Sequence, residues 1–169
     1  EGKKFHIRHI HADEKGGFYD LDKYYIQDKV KKSKSIPALI MGDYHAIFAD
    51  EGVNKATFIN KDSMVNVLNP ENLIYHDVLD FYHRNHHHRG NDIIRYGKHH
   101  FGRDNVEEEL QITADLIDDF NDPKRQNIIV RSNHDEALDR WLAEADPRGD
   151  PENARLYYYL KYHQMVNTR

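Results

Sequence analysis

Three short apolar runs stand out from a polar background. Pro37-Ala38-Leu39-Ile40-Met41, Asn72-Leu73-Ile74-Tyr75-His76 and Asn127-Ile128-Ile129-Val130-Arg131 are short stretches rich in adjacent apolar residues. That pattern predicts strands buried on both faces. Helical patterns separate them. Residues 61 to 68 suit a short helix capped near Asp62 or Ser63 and stopped by Asn69-Pro70. Val106, Leu110, Thr113, Ile117 and Phe120 recur at helical spacing, behind an acidic first turn and ahead of Asp122-Pro123. A helix over 135–145 would turn Leu138, Trp141 and Leu142 inward. A Pro/Gly turn at 146–151 then leads to a tyrosine-rich helix over 152–166. Alternation of strand and helix after residue 36 predicts an α/β layered domain. In such domains ligands bind beyond the carboxyl ends of the strands.

Residues 1–35 read as a separate connecting segment, and 36–169 as the domain proper. FHIRHIH at 5–11 alternates in polarity and predicts a strand, with His6 on the face opposite His9 and His11. Gly16-Gly17 marks a turn. Residues 20–32 predict a polar helix with Leu21, Tyr24, Tyr25 and Val30 inward. Residues 82–104 show no period and read as one long loop, a length that often carries function.

Composition narrows the chemistry. A chain of 169 residues suits one domain. The net charge of −5 gives no support for a general nucleic-acid-binding surface, and the Lys29, Lys31, Lys32, Lys34 cluster reads as a solvated face. No apolar run approaches the roughly 20 residues that span a membrane. A soluble cytoplasmic protein is the expectation. The chain has no cysteine, which excludes disulfides and thiolate metal sites. It has 13 histidines and many aspartates, a surplus suited to oxygen-and-nitrogen sites for manganese, iron, zinc or magnesium. The first residue is Glu1, and the last lie within a helical pattern. The chain is therefore expected to be a piece of a longer protein, whose remainder would be a partner. Oligomeric state is left open.

Each apolar run leads into a polar cluster: Asp43-Tyr44-His45, Asp77-Val78-Leu79-Asp80, and Asn133-His134-Asp135. Singly, each has an ordinary alternative. An Asp-x-His pair arises by chance, an Asp-x-x-Asp is often a turn or cap, and Asn133 or Asp135 would serve as a helix cap. Together, at three strand ends that meet if the strands are parallel neighbours, they point to one site.

These motifs resemble those of the calcineurin-like metallophosphoesterase superfamily. That family carries D-x-H, G-D-x-x-D and G-N-H-D/E after core strands, matched here by DYH at 43–45, HDVLD at 76–80 and SNHD at 132–135. The resemblance covers roughly residues 36 to 145. His76 and Ser132 stand where the family usually has glycine. The resemblance implies a layered sheet flanked by helices and two divalent cations, manganese ahead of magnesium, iron or zinc. It implies that Asp43 and His45 bind the first metal, Asp77 bridges both, and Asn133 binds the second. His134 would act at the leaving-group oxygen, oriented by Asp80. The family's later lone His and G-H-x-H motif have no match, so those ligands are expected beyond Arg169, with the fold truncated on its C-terminal side.

Residues 82–104 follow the second motif directly. Their cations, with Arg84, His86, His87 and Arg89 foremost, would hold substrate phosphates, and their aromatics would stack a base. A solvated polar loop is the alternative. The insertion resembles phage-encoded members related to the DNA-repair exonuclease branch and to phage DNA-degradation proteins. This makes DNA the expected substrate and the host cytoplasm the expected location. A phosphatase or cyclic-nucleotide phosphodiesterase with the same site, and a non-catalytic assembly module, are the other readings.

Overall fold

The fold comes from a computed structural model that describes residues 7–167. Among these residues the chain is mixed α/β, with two separate three-stranded sheets. The first contains β1 (Phe18–Asp20), β2 (Lys23–Ile26) and β3 (Lys29–Lys32), all antiparallel. It replaces the helix expected over 20–32. Each hairpin closes through two residues, Leu21-Asp22 and Gln27-Asp28, and the first of each pair has positive φ, 55° and 49°. Glycine or asparagine normally marks that conformation, so the turns left no sequence signal. The register stacks Phe18 on Tyr25 at 5.1 Å and sets Tyr19 against Tyr24 at 4.7 Å, cross-strand pairs that favour the hairpin. Leu21 and Val30 are exposed, not inward. β3 presents its lysines to solvent along an edge, where charge discourages pairing with another chain. Residues 7–11 form no strand, and Ala12 makes a single bridge to Phe18. Phe5 and His6, the start of the strand expected at 5–11, lie outside the described residues.

The second sheet holds the site. β4 (Ile36–Asp43), β5 (Pro70–His76) and β6 (Gln126–Ile129) are parallel, in the order β4-β5-β6. All three strands thus end at one edge. Leu39, Met41, Leu73 and Tyr75 pack with Phe58, Val65, Val78, Ile117 and Phe120 in one core. Burial on both faces is not what the structure has: Ile40, of opposite parity in β4, is 71% exposed. Runs of adjacent apolar residues do not reveal that only one side is covered.

Helices α1 (Glu51–Asn54, continuing as a π turn to Ile59), α2 (Met64–Leu68), α3 (Asp92–His100), α4 (Val106–Asp119), α5 (Glu136–Glu144) and α6 (Pro151–Asn167) complete the chain. Ser63 caps α2 by accepting from the Asn66 N–H, and Asn69 ends it at φ 46°. Asn105 caps α4 through the Glu108 N–H at 3.0 Å. α3 lies where a long loop was expected. Its inward face is Ile94, Gly97 and Lys98, while Ile93 and Tyr96 are 84% and 69% exposed. This helix buries a lysine and leaves Ile93 and Tyr96 outward, so its apolar positions do not mark the face that packs.

A second core gathers Leu79, Phe81, Val106, Ala137, Trp141, Leu142 and Tyr157. The segment after β5 joins the two cores, with Val78 in the first and Leu79 and Phe81 in the second. Leu73, at the centre of the middle strand, is fully buried. Leu73→Ala should lower unfolding free energy by about 2–5 kcal/mol in urea titration. A loss below about 1 kcal/mol would show that this strand is not central to the core.

Candidate metal centre

At the carboxyl edge of the parallel sheet, pairing continues past the strands. The Tyr44, His45 and Ala46 N–H groups donate to the carbonyls of His76, Asp77 and Val78, at 3.2, 2.8 and 2.9 Å. This extension sets the loop after β4 beside the loop after β5. Three non-glycine residues here have left-handed backbone: His45 (φ 47°), Asp77 (φ 45°) and Phe81 (φ 58°). Each such residue costs of order 1–3 kcal/mol and persists only where surrounding contacts enforce it. His76 and Ser132, the positions that usually carry glycine in the resembling family, are not at positive φ. The local turns are therefore made without glycine there.

Two groups of metal-type ligands result, Asp43 with His76 and Asp77, and His45 with Asp80 and His134. Within each group one donor atom per residue lies within 4.8 Å of the others. His76 Nδ1 is 3.2 Å from Asp43 Oδ1 and 3.0 Å from Asp77 Oδ2. Asp80 Oδ2 is 2.8 Å from His45 Nδ1 and 3.7 Å from His134 Nδ1. The His134 ring also approaches the Asp80 carbonyl at 3.4 Å and the His45 ring at 4.7 Å between centroids. Asp80 is therefore nearer His45 than His134, the residue it was expected to orient.

The donor set suits a cation. Asp77 is 4% exposed, and its Oδ1 has no hydrogen-bond partner. His45 Nδ1 likewise lacks one, because its approach to Asp80 is out of hydrogen-bond alignment. Unsatisfied buried polar atoms are costly and rare, and these two sit in adjacent ligand groups made of oxygen and nitrogen. Burial pushes the Asp77 carboxyl up, but the Ser132 hydroxyl and the imidazoles of His76, His134 and His45 outweigh it. The group is held below the ordinary carboxylate value, in the ionised form that a metal needs.

Of the residues expected from sequence, Asp43, His45, Asp77, Asp80 and His134 come together at this edge. Asn133 lies exposed in the turn before α5, and its side chain makes no hydrogen bond among the described residues. His76 was not nominated as a ligand. The sequence shows only its place at the end of an apolar run; the register that sets it opposite Asp43 belongs to the folded sheet. Asp135 does not cap α5. Its carboxylate accepts from the Leu79 N–H at 3.1 Å and the Ser132 hydroxyl at 2.7 Å, tying the loop after β6 to the loop after β5.

The residues after Phe81 play mixed roles. Arg84 forms a two-pronged pair with Asp150, both contacts at 2.6 Å, fastening residues 82–84 to the start of α6. Arg89 faces Glu144 at 3.4 Å, His86 lies 2.9 Å from an Arg140 nitrogen, and exposed His87 packs against the His86 ring. Lys98 is 5% exposed. It donates to the Tyr82 carbonyl, lies 2.8 Å from His88 Nδ1 and sits 4.1 Å over the Tyr82 ring. Burial pushes its ammonium down to about 8.

Burial raises the Asp150 carboxyl, yet its hydrogen bonds from Arg84 and Asn153 hold it below the ordinary value. A depressed folded-state pKa contributes stability above the unfolded carboxylate range, and that stability is lost as pH falls through the folded value. Asp150→Asn should therefore cost about 2 kcal/mol at neutral pH. The gap from wild type should close as thermal melts are taken to progressively more acidic pH. A gap independent of pH would argue against the ion pair.

Among the described residues no helix is long and apolar enough to cross a membrane. No family model matches the chain, and no solved structure matches it. The chain is similar to "Protein A1" of Escherichia phage T5, with 36% identity over 166 residues. The match covers 95% of this chain and 30% of that protein, so the chain spans about a third of its relative's length.

Proposed function

We propose that this chain carries the metal-binding part of a two-metal phosphodiesterase site acting on DNA. One observation carries the reading: three parallel strands deliver two adjacent Asp/His groups to one sheet edge, where a buried oxygen of Asp77 has no protein donor. Asp43, His45 and Asp77 would hold the two cations, with His76 an added ligand beside Asp43 and Asp77 and with Asn133, exposed in the nearby turn, completing the set. When bound, the cations supply positive charge to the phosphoryl oxygens and lower the pKa of the attacking water. His134 gives a proton to the departing oxygen, which needs a group within hydrogen-bond reach of it. The Asp80 carbonyl, 3.4 Å from His134 Nδ1, positions that ring, and the Asp80 carboxylate stands beside His45. The resemblance to metallophosphoesterases extends this arrangement to a layered sheet completed by later parts of a longer chain. Similarity to a phage protein supports phage origin, and the reading adds action in host cytoplasm with manganese as the preferred metal.

The full-length protein with manganese should cleave linear duplex or single-stranded DNA, this chain alone being expected to hold an incomplete site, and Asp77→Ala should abolish that cleavage. Unchanged cleavage in Asp77→Ala sinks the site assignment. Hydrolysis of a small phosphomonoester alone would move the substrate class to a phosphatase. Metal binding without any hydrolysis would make the chain a binding module.

The two ligand groups separate by metal analysis. His76→Ala should weaken manganese binding measured by calorimetry. His134→Ala should lower turnover far more than bound metal. Equal losses in His134→Ala would make that residue a ligand and remove its proton-handling role.

A further inference from the structure

A second polar site lies away from the metal-type groups. Residues 83–98, α5 and the start of α6 line an open cleft of about 260 Å³, which none of the six clustered ligands lines. At about 30 Å³ per water, it has room for a phosphoryl group and part of what bears it. Trp141, Ala137, Ala145 and Pro147 supply an apolar wall.

The cleft's charges do not balance. Each acid that lines it is already engaged: Asp150 by Arg84, Glu144 by Arg89, and Asp146 by Arg148. Three lining cations remain without a carboxylate at hydrogen-bond distance among the described residues. Arg140 meets only the His86 ring. Lys98 meets the Tyr82 carbonyl and His88 Nδ1. Arg95 is 3.9 Å from an exposed Asp92. Lys98 feels the buried Glu109 and Asp80 carboxylates only beyond hydrogen-bond distance, and Arg140 has no carboxylate at that distance among the described residues, so these lining donors are left to take an anion. Arg and Lys donors beside imidazoles suit a phosphate, whose several oxygens accept charge-assisted hydrogen bonds.

We propose that this cleft is a phosphate-binding subsite, in which Arg140, Lys98 and His88 grip the terminal phosphate of a nucleotide or DNA strand against Trp141. Its DNA arm rests on the nuclease reading above, whereas its phosphate chemistry does not. Arg84 and Arg89 are then scaffold for the subsite, because their charges are spent on Asp150 and Glu144.

Calorimetry on protein freed of metal with EDTA tests this directly, with inorganic phosphate, a deoxynucleoside monophosphate, and short single strands with and without a terminal phosphate. Saturable phosphate binding is expected, tighter for the nucleotide and for the phosphorylated strand. Arg140→Gln and Lys98→Met should each weaken it about tenfold or more. Arg155→Gln, an exposed pair with Glu107 on α6, serves as the charge control and should leave it unchanged. Circular dichroism reports whether the buried Lys98 variant folds. The half-exposed Arg140 variant and phosphate-induced NMR shifts of the His86 and His88 rings in wild type give readouts that do not depend on it. No saturable binding at about 10 mM phosphate, or equal binding by Arg140→Gln and wild type, overturns the proposal. Phosphate binding that survives in a protein unable to bind manganese overturns only the metal reading. Equal affinity for strands with and without the phosphate removes the DNA arm.

Discussion

A buried loop must find partners for its backbone polar groups, because water cannot reach them. Residues 77–81 are all buried, as is His83. Their pairing comes from four directions. The N–H groups of His45 and Ala46 satisfy the carbonyls of Asp77 and Val78. Asp135 accepts from the Leu79 N–H, and the buried Glu109 carboxylate accepts from the Tyr82 and His83 N–H groups at 2.7 and 2.9 Å. Lys98 donates to the Tyr82 carbonyl. Val78 points into one core, and Leu79 and Phe81 point into the other. The loop is thus locked by packing and by hydrogen bonds, and Asp77 and Asp80 have little freedom left.

That rigidity matters for charge. Asp43, Asp77 and Asp80 converge at one sheet edge, where like charges repel. The imidazoles of His45, His76 and His134 stand among them, offering partial compensation and coordinating nitrogens. Left-handed backbone at His45 and Asp77 adds strain at the same place. Strain, gathered acids and an unpaired Asp77 oxygen are individually unfavourable, and a bound cation would relieve the last two. Metal sites commonly show this opposition between stability and function, since ligands must be held ready before the metal arrives.

Cations around residues 82–104 divide by their partners. Arg84 and Arg89 meet carboxylates, Arg95 reaches only the exposed Asp92 at 3.9 Å, and Lys98 and Arg140 have no carboxylate at hydrogen-bond distance among the described residues. Their positions in the chain are uninformative on this point, because Asp150 is 66 residues from Arg84 and Arg140 belongs to another helix. Glu109 shows the same limit. It lies within an acidic helical turn that looks solvated, yet it is fully buried, and burial raises its carboxyl while the His83 and Tyr82 N–H groups pull it down.

Period and punctuation in the sequence determined much of the mixed α/β organisation. The three apolar runs became strands, Ser63 and Asn69 bounded α2, and the stripe from Val106 to Phe120 became α4. These features rest on local preferences and on one-dimensional spacing, which the chain carries in itself. Hairpins at Leu21 and Gln27 escaped because their residues do not advertise positive φ, and α3 escaped within a stretch of His, Arg and Gly whose apolar Ile93 and Tyr96 face outward. Tertiary structure alone decided that the strands are parallel in the order β4-β5-β6, and so that Asp43, Asp77 and His134 meet. It also decided that His76 joins Asp43, that Asp80 lies nearer His45 than His134, and which cations are spent in ion pairs. Each of these depends on contacts between residues distant in the chain, formed only when the two cores pack around the loop after β5.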